Sequence, residues 1–137
     1  MRSIRKLAWF GHAAGRRGDG LSTYSREHVA ALQRCGIEVL FVHHRHDGDV
    51  IPVPERLTLD AGRFKTVVIP APGTRNRICR ALEDFRPDVL HLSFSFSLLD
   101  AWILGEAQRR GIPTLATVHL PYAAPGSMRG RVLRGLY

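Results

Sequence analysis

Residues 11–32 read GHAAGRRGDGLSTYSREHVAAL, a glycine-dotted segment set between the short apolar run LAWF and an amphipathic repeat. Gly18 and Gly20 open backbone conformations closed to other residues and let main-chain N–H groups come close to a ligand. A helix starting near Leu21 adds unpaired N–H groups and the positive end of its dipole. Gly18, Gly20, Leu21 and Ser22 are therefore candidates to receive a phosphate. The dinucleotide fingerprint GxGxxG is not met, because GDGLST puts Thr23 at the third glycine, and no GK[ST] P-loop is present. A plain surface loop remains the alternative.

Further along, His119 closes the apolar run TLATVHL (114–120). At the carboxyl edge of a sheet its imidazole could donate a hydrogen bond to a ligand hydroxyl, or be satisfied by a backbone carbonyl. His91, inside DVLHL, reads as a structural hydrogen-bonding residue. The cluster HHRHDGD (43–49) gathers His43, His44, His46, Asp47 and Asp49. Its spacing matches no zinc pattern and consecutive side chains diverge, so it reads as a solvated loop beside the cleft, with no metal expected. In SFSFSLLDAW (93–102) alternation puts Phe94 and Phe96 on one face and Ser93, Ser95 and Ser97 on the other. Those hydroxyls could meet a ligand or simply end a packed strand.

Positioning such groups takes a framework, and the sequence supplies one. Five short apolar runs recur: KLAWF (6–10), EVLFV (38–42), TVVIP (66–70), DVLHL (88–92) and TLATVHL (114–120). Each is continuous rather than alternating, as in strands buried on both faces of a parallel sheet. Helical spacing appears over residues 21–34, 76–85 and 97–110. Ser22 or Thr23 could cap the first helix, Gly36 stops it, the RPD sequence ends the second, and Gly111 with Pro113 closes the third. Residues 43–65 are rich in Pro, Gly and Asp, with RLTLD as the sole strand-like piece, and are expected to form a loop or small hairpin. The fold class is α/β: an open parallel sheet with right-handed crossovers and helices on both faces.

Length and composition bound the rest. A chain of 137 residues reads as one domain, able to bury roughly two-thirds of its unfolded surface. No segment approaches the ~20 apolar residues of a membrane span, and the apolar part of the N-terminus is too short for a signal peptide, so the cytoplasm is the expected location. Cys35 and Cys79 lie far apart without a CxxC pattern, which suits reduced thiols, and Cys35 is expected to pack rather than react. The net charge of +8 comes from 18 Arg and 2 Lys against 12 acidic residues. Arginine suits anionic ligands and permits peripheral contact with an anionic membrane, or is simply a solvated bias in composition. The basic residues form no run interleaved with aromatics, so nucleic acid is not indicated.

Three segments, taken in order, resemble one family. GDGLSTYSREHVAALQRCGIEVLFV (18–42) is similar to the opening of GT-B glycosyltransferases of family 4, FRPDVLHLSF (85–94) to that family's PDVVHxH strand, and EAQRRGIPTLATVHLPY (106–122) to its GIPVVATVH segment. The resemblance spans about residues 6–122 and implies a Rossmann-like domain forming one half of a GT-B fold. It places Gly20 at the second glycine of the family's GG(I/V)G loop, which faces the donor diphosphate, with Asp19 and Ser22 where the family has glycine. It places His119 at the histidine of the sugar-transfer centre, and His91 at the first histidine of HxH, with Ser93 replacing the second. The acceptor side would draw on His12, Tyr24, Ser93, Ser95, Ser97, Pro121 and Tyr122.

The resemblance further implies a retaining enzyme that moves a sugar from a nucleotide-sugar donor to a sugar or lipid-linked acceptor, without cofactor or metal. In that family most donor contacts belong to a C-terminal domain with no counterpart in residues 1–137. The expectation is an acceptor-side half, inactive alone, paired with that domain in cis or in a separate chain, with residues 126–137 opening a helix. Two rivals are a non-catalytic acceptor-binding or docking subunit, marked by an exposed apolar surface near WILGEAQ or the C-terminal tail, and a stand-alone nucleotide-binding or flavodoxin-like domain.

Overall fold

The computed structural model describes residues 3–11, 20–44, 55–59, 61–64, 67–94 and 98–118. Their order is β1 (Lys6–Phe10), α1 (Gly20–Arg34), β2 (Glu38–His44), β3 (Glu55–Leu59), β4 (Ala61–Phe64), β5 (Val67–Pro70), α2 (Thr74–Phe85), β6 (Val89–Phe94), α3 (Leu98–Arg109) and β7 (Thr114–Val118). Five strands form one parallel sheet in the order β3-β2-β1-β6-β7, and β4 and β5 pair antiparallel apart from it. The chain steps outward from β1 to β3, then returns to the other side of β1. The strand order therefore reverses between β1 and β6.

Alternation along the strands divides the core. Leu7, Trp9, Val39 and Phe41 point to the face covered by α1, where they meet Val29, Tyr24 and Leu32. Ala8, Phe10, Leu40, Val42, Leu90 and Leu92 point to the opposite face, packed by Ile78, Leu82 and Phe85 of α2 and Leu99, Ile103 and Ala107 of α3. Helices on both faces explain why the central strands read as unbroken apolar runs.

One strand was exchanged for another. TVVIP, expected in the parallel sheet, supplies β5 of the separate hairpin, and the fifth parallel strand is β3, from RLTL. Leu57 and Leu59 of β3 join the core while Arg56 is exposed, the half-covered pattern of an edge strand. The segment 43–65 thus holds a sheet strand, and His43 is buried in β2 rather than solvated.

The helix stops act as their sequences dictate. Gly36 (φ 77°) and Gly111 (φ 65°) take the left-handed conformation. Ile37 N–H then donates to Leu32 O at 3.1 Å and Ile112 N–H to Ala107 O at 2.9 Å, each closing a Schellman turn. α2 ends at Arg86, itself left-handed (φ 52°), immediately before Pro87. α1 begins at Gly20, so Ser22 and Thr23 occupy its first turn and do not precede it as caps. Cys35 falls beyond the last turn of α1 and is exposed, contrary to the packing expectation.

At the amino edge of the sheet, one carboxylate ties β6 to β1, and a backbone bond adds β7. Asp88 Oδ2 accepts the backbone N–H groups of Arg5 and Lys6, each at 2.9 Å, while Asp88 N–H donates to Lys6 O at 2.9 Å. Leu90 N–H donates to Pro113 O at 2.9 Å. These bonds fix the registers of β1, β6 and β7, and so the level at which their carboxyl ends emerge.

Candidate functional site

In an open parallel sheet the ligand crevice lies beyond the carboxyl ends of the strands that flank the reversal of strand order. Here those ends are Phe10 of β1 and Phe94 of β6, with Val118 of β7 beside them. Gly11 follows β1 and extends its ladder, donating to Val42 O at 3.0 Å. A Cβ at Gly11 would stand 2.7 Å from Trp9 Nε1 and 3.1 Å from Phe41 Cε2, so the chain leaves the sheet through a gap sized for glycine. It re-enters the described structure at Gly20, the first residue of α1. Gly20, Leu21 and Ser22 form that helix's opening turn, whose N–H groups lack intrahelical partners. The amino end of α1 and the carboxyl end of β1 are the two ends of one connection and share the carboxyl edge of the sheet.

Beneath this edge, on the α1 face, lies a stack of polar aromatics. His91 is buried and stacks on Trp9 with ring centroids 3.8 Å apart. Tyr24 of α1 stands 5.8 Å from Trp9 and 4.0 Å from the His28 ring. Thr117 of β7 joins the group: its Oγ1 lies 2.8 Å from His91 Nε2 and 3.2 Å from Tyr24 Oη. The sequence reading of His91 as a hydrogen-bonding residue agrees with this geometry. Tyr24, assigned to the acceptor side, turns its hydroxyl inward to Thr117.

On the opposite face a cavity of about 30 Å³ opens among Phe10, Val42, Leu59, Leu92, Leu99 and Ile103, at the level of Ser93 and His43. That is the scale of one or two water molecules, too small for a sugar. Ser93 is 3% exposed, and its Oγ has no hydrogen-bond partner among the described residues. His43 Nε2 lies 3.4 Å from Thr58 Oγ1 and its ring stacks on Phe41.

The placement of the remaining sequence candidates is mixed. Gly20, Leu21, Ser22, Tyr24 and Ser93 belong to elements that converge on the carboxyl edge. His12, Gly18, Ser95, Ser97, His119, Pro121 and Tyr122 lie outside the described residues, as does the 126–137 segment. Among the described residues no three His, Cys, Asp or Glu side chains are grouped to hold a metal. Thr117 was not singled out from sequence; its role depends on β7 lying beside β6 on the face that α1 covers.

A second concentration of charge occupies the amino end. Glu106, largely buried in α3, accepts from Arg110 Nε at 2.7 Å and pairs with Arg109, while Arg110 reaches Glu83 of α2 at 2.9 Å. The Arg110 hydrogen bond, aided by Arg109, holds the Glu106 carboxyl below its ordinary range against the effect of burial. Glu83 and Glu106 in turn hold the Arg110 guanidinium firmly protonated. Burial, reinforced by the Glu106 charge, pushes the Cys79 thiol up, which suppresses the thiolate. This cluster clamps α2 to α3. Beside it a groove of about 720 Å³ runs along Ile4, Arg86, Asp88, Arg110 and Pro113, at the edge opposite the strand-reversal crevice.

No described helix is long and apolar enough to cross a membrane. Within WILGEAQ, Ile103 is buried, and Trp102 and Leu104 are partly buried against the core. The large exposed apolar side chains among the described residues are Ile4, Leu115 and Val118.

No curated protein matches this chain. Among solved structures, Rhizobium etli pyruvate carboxylase T882A, with the allosteric activator acetyl coenzyme-A, superposes with a TM-score of 0.52. The superposition covers 82% of this chain and 10% of that one at 12% identity, a likeness of fold alone. The description of Glycosyltransferase Family 4 matches residues 18–137, a span that takes in all of α1, β6 and β7. The chain belongs to Glycosyltransferase Family 4.

Proposed function

We propose that this chain supplies the acceptor-side half of a retaining GT-B glycosyltransferase, which moves a sugar from a nucleotide-sugar donor to a sugar or lipid-linked acceptor. Family membership supports transfer chemistry. The observation that carries the location is the convergence of the β1 and β6 carboxyl ends with the amino end of α1 at the reversal of strand order.

The roles follow from the groups present. Gly18 and the opening turn Gly20, Leu21 and Ser22 offer backbone N–H donors and a positive dipole end to the donor diphosphate. Charge that grows on the leaving diphosphate is stabilised there by donors already in place. His119 donates a hydrogen bond to a hydroxyl of the donor sugar and orients it. His12, Tyr24, Ser93, Ser95, Ser97, Pro121 and Tyr122 border the acceptor. The remaining diphosphate contacts belong to a second domain, in cis or in a separate chain, so residues 1–137 alone turn over no donor. No metal or cofactor takes part in this scheme. The exposed Arg56, Arg75, Arg77 and Arg80 near β3 and α2 suit a peripheral encounter with an anionic cytoplasmic membrane face.

Calorimetric titration with UDP- and GDP-sugars, wild type beside Gly20→Val, tests the donor assignment. Weak binding abolished by valine supports it, and binding that survives valine contradicts it. Absence of binding to the wild type favours the second reading, a non-catalytic acceptor-binding or docking subunit. The exposed Leu115 and Val118 of β7 are the observation in its favour.

A further inference from the structure

β7 is a lightly held strand. Among the described residues it pairs only with β6, and Leu115 and Val118 are 59% and 57% exposed. Backbone pairing sets its register against β6 but does not fix its distance from α1, which packs over β1 and β2 on the far side of β6. The Thr117 hydroxyl spans that gap. It meets His91 Nε2 of β6 at 2.8 Å and Tyr24 Oη of α1 at 3.2 Å, and His91 is stacked on Trp9 of β1. A hydroxyl has one proton to give and two lone pairs, so it can serve both partners at once. One side chain thereby links β1, β6, β7 and α1, the four elements whose ends form the crevice.

Thr117 lies two residues before His119 in the chain, and Tyr24 lies four residues after Gly20. We propose that Thr117 is a positioning residue, whose hydroxyl holds the strand leading to His119 at a fixed distance from the helix that follows the phosphate loop. The proposal rests on the reading of His119 and residues 18–22 given above. Near-attack geometry is sensitive to displacements of about 1 Å, which can cost on the order of a hundredfold in rate. A tie of this kind acts on turnover rather than on donor affinity.

The test uses the chain together with its donor-binding domain, in cis or as a separate chain, and follows nucleoside-diphosphate release from UDP- and GDP-sugars with water as acceptor. Thr117→Val keeps the branched shape and removes the hydroxyl, Thr117→Ser keeps the hydroxyl, and His119→Ala runs in parallel. Thr117→Val is expected to lower kcat by about tenfold to a hundredfold with donor KM within about twofold of wild type, and Thr117→Ser to restore kcat to within about threefold. Wild-type kcat in Thr117→Val, or a Thr117→Ser variant as slow as the valine, overturns the proposal while an inactive His119→Ala leaves the site reading intact. A fully active His119→Ala overturns the site reading itself. Should the valine variant not fold, Tyr24→Phe removes the other end of the tie, and an unchanged kcat there overturns the proposal equally.

Discussion

Two glycines are expected to respond to the same substitution with opposite signs. At Gly11 a methyl group would stand 2.7 Å from Trp9 Nε1, 2.9 Å from Trp9 Cδ1 and 3.1 Å from Phe41 Cε2. Neither ring has room to retreat: Trp9 is 2% exposed and backed by His91 at 3.8 Å, and Phe41 is 1% exposed. Overpacking of this kind costs about 1–3 kcal/mol. The backbone at Gly11 is not left-handed, so alanine brings no conformational strain there, and it recovers about 0.4–1 kcal/mol by restricting the unfolded chain. The net expectation for Gly11→Ala is a loss of roughly 1–2 kcal/mol. At Gly105, within α3, a Cβ meets nothing within 4 Å, and alanine should gain about 0.8–1 kcal/mol of helix propensity. With a urea slope of about 2 kcal/mol per molar, the midpoint should fall by roughly 0.5–1 M for Gly11→Ala and rise by about 0.5 M for Gly105→Ala. Circular dichroism and tryptophan fluorescence report both. A Gly11→Ala chain as stable as the wild type would refute the wedged arrangement of Trp9 and Phe41.

Three further outcomes follow from named contacts. Asp88→Ala removes a carboxylate that accepts two backbone N–H groups, and should cost about 2 kcal/mol, read as a fall of roughly 8 °C in Tm, with Asp88→Asn losing less. Because the folded Glu106 carboxyl sits below its unfolded value, its contribution to stability is complete above the ordinary glutamate range and is lost as pH falls through the folded value. Urea midpoints measured from pH 7 downward should therefore drop less steeply in Glu106→Gln than in wild type, and parallel curves would refute the Arg110 clamp. In a double-mutant cycle on chain stability, Tyr24→Phe and Thr117→Val should couple by about 0.5–1.5 kcal/mol, whereas additive losses would mean that the two hydroxyls do not bond.

Four of the five parallel strands were legible because β1, β2, β6 and the start of β7 read as unbroken apolar runs. The fifth was misplaced for a physical reason. An edge strand needs one apolar face, so RLTL qualified with Leu57 and Leu59 alone, while the more apolar TVVIP went to a hairpin. The helices were found to within about two residues because left-handed glycines and Pro87 stop them, whereas the start of α1 at Gly20 carries no side-chain signal. Of the site, the approach of the α1 opening turn to the β1 end was readable from local order. The Thr117 contacts were not, since they need the strand order and the face of α1 together. Cys35 misled because its type favours burial while its position beyond the helix favours exposure.

Two openings compete for the donor: the crevice where strand order reverses, and the groove of about 720 Å³ at the opposite edge. Hydrogen exchange of the full-length protein, with and without saturating nucleotide sugar, distinguishes them directly. Slowed exchange over residues 11–22, with residues 82–89 and 110–113 unchanged, is the predicted result. Protection confined to the residues of the amino-edge groove would contradict the placement of the transfer site.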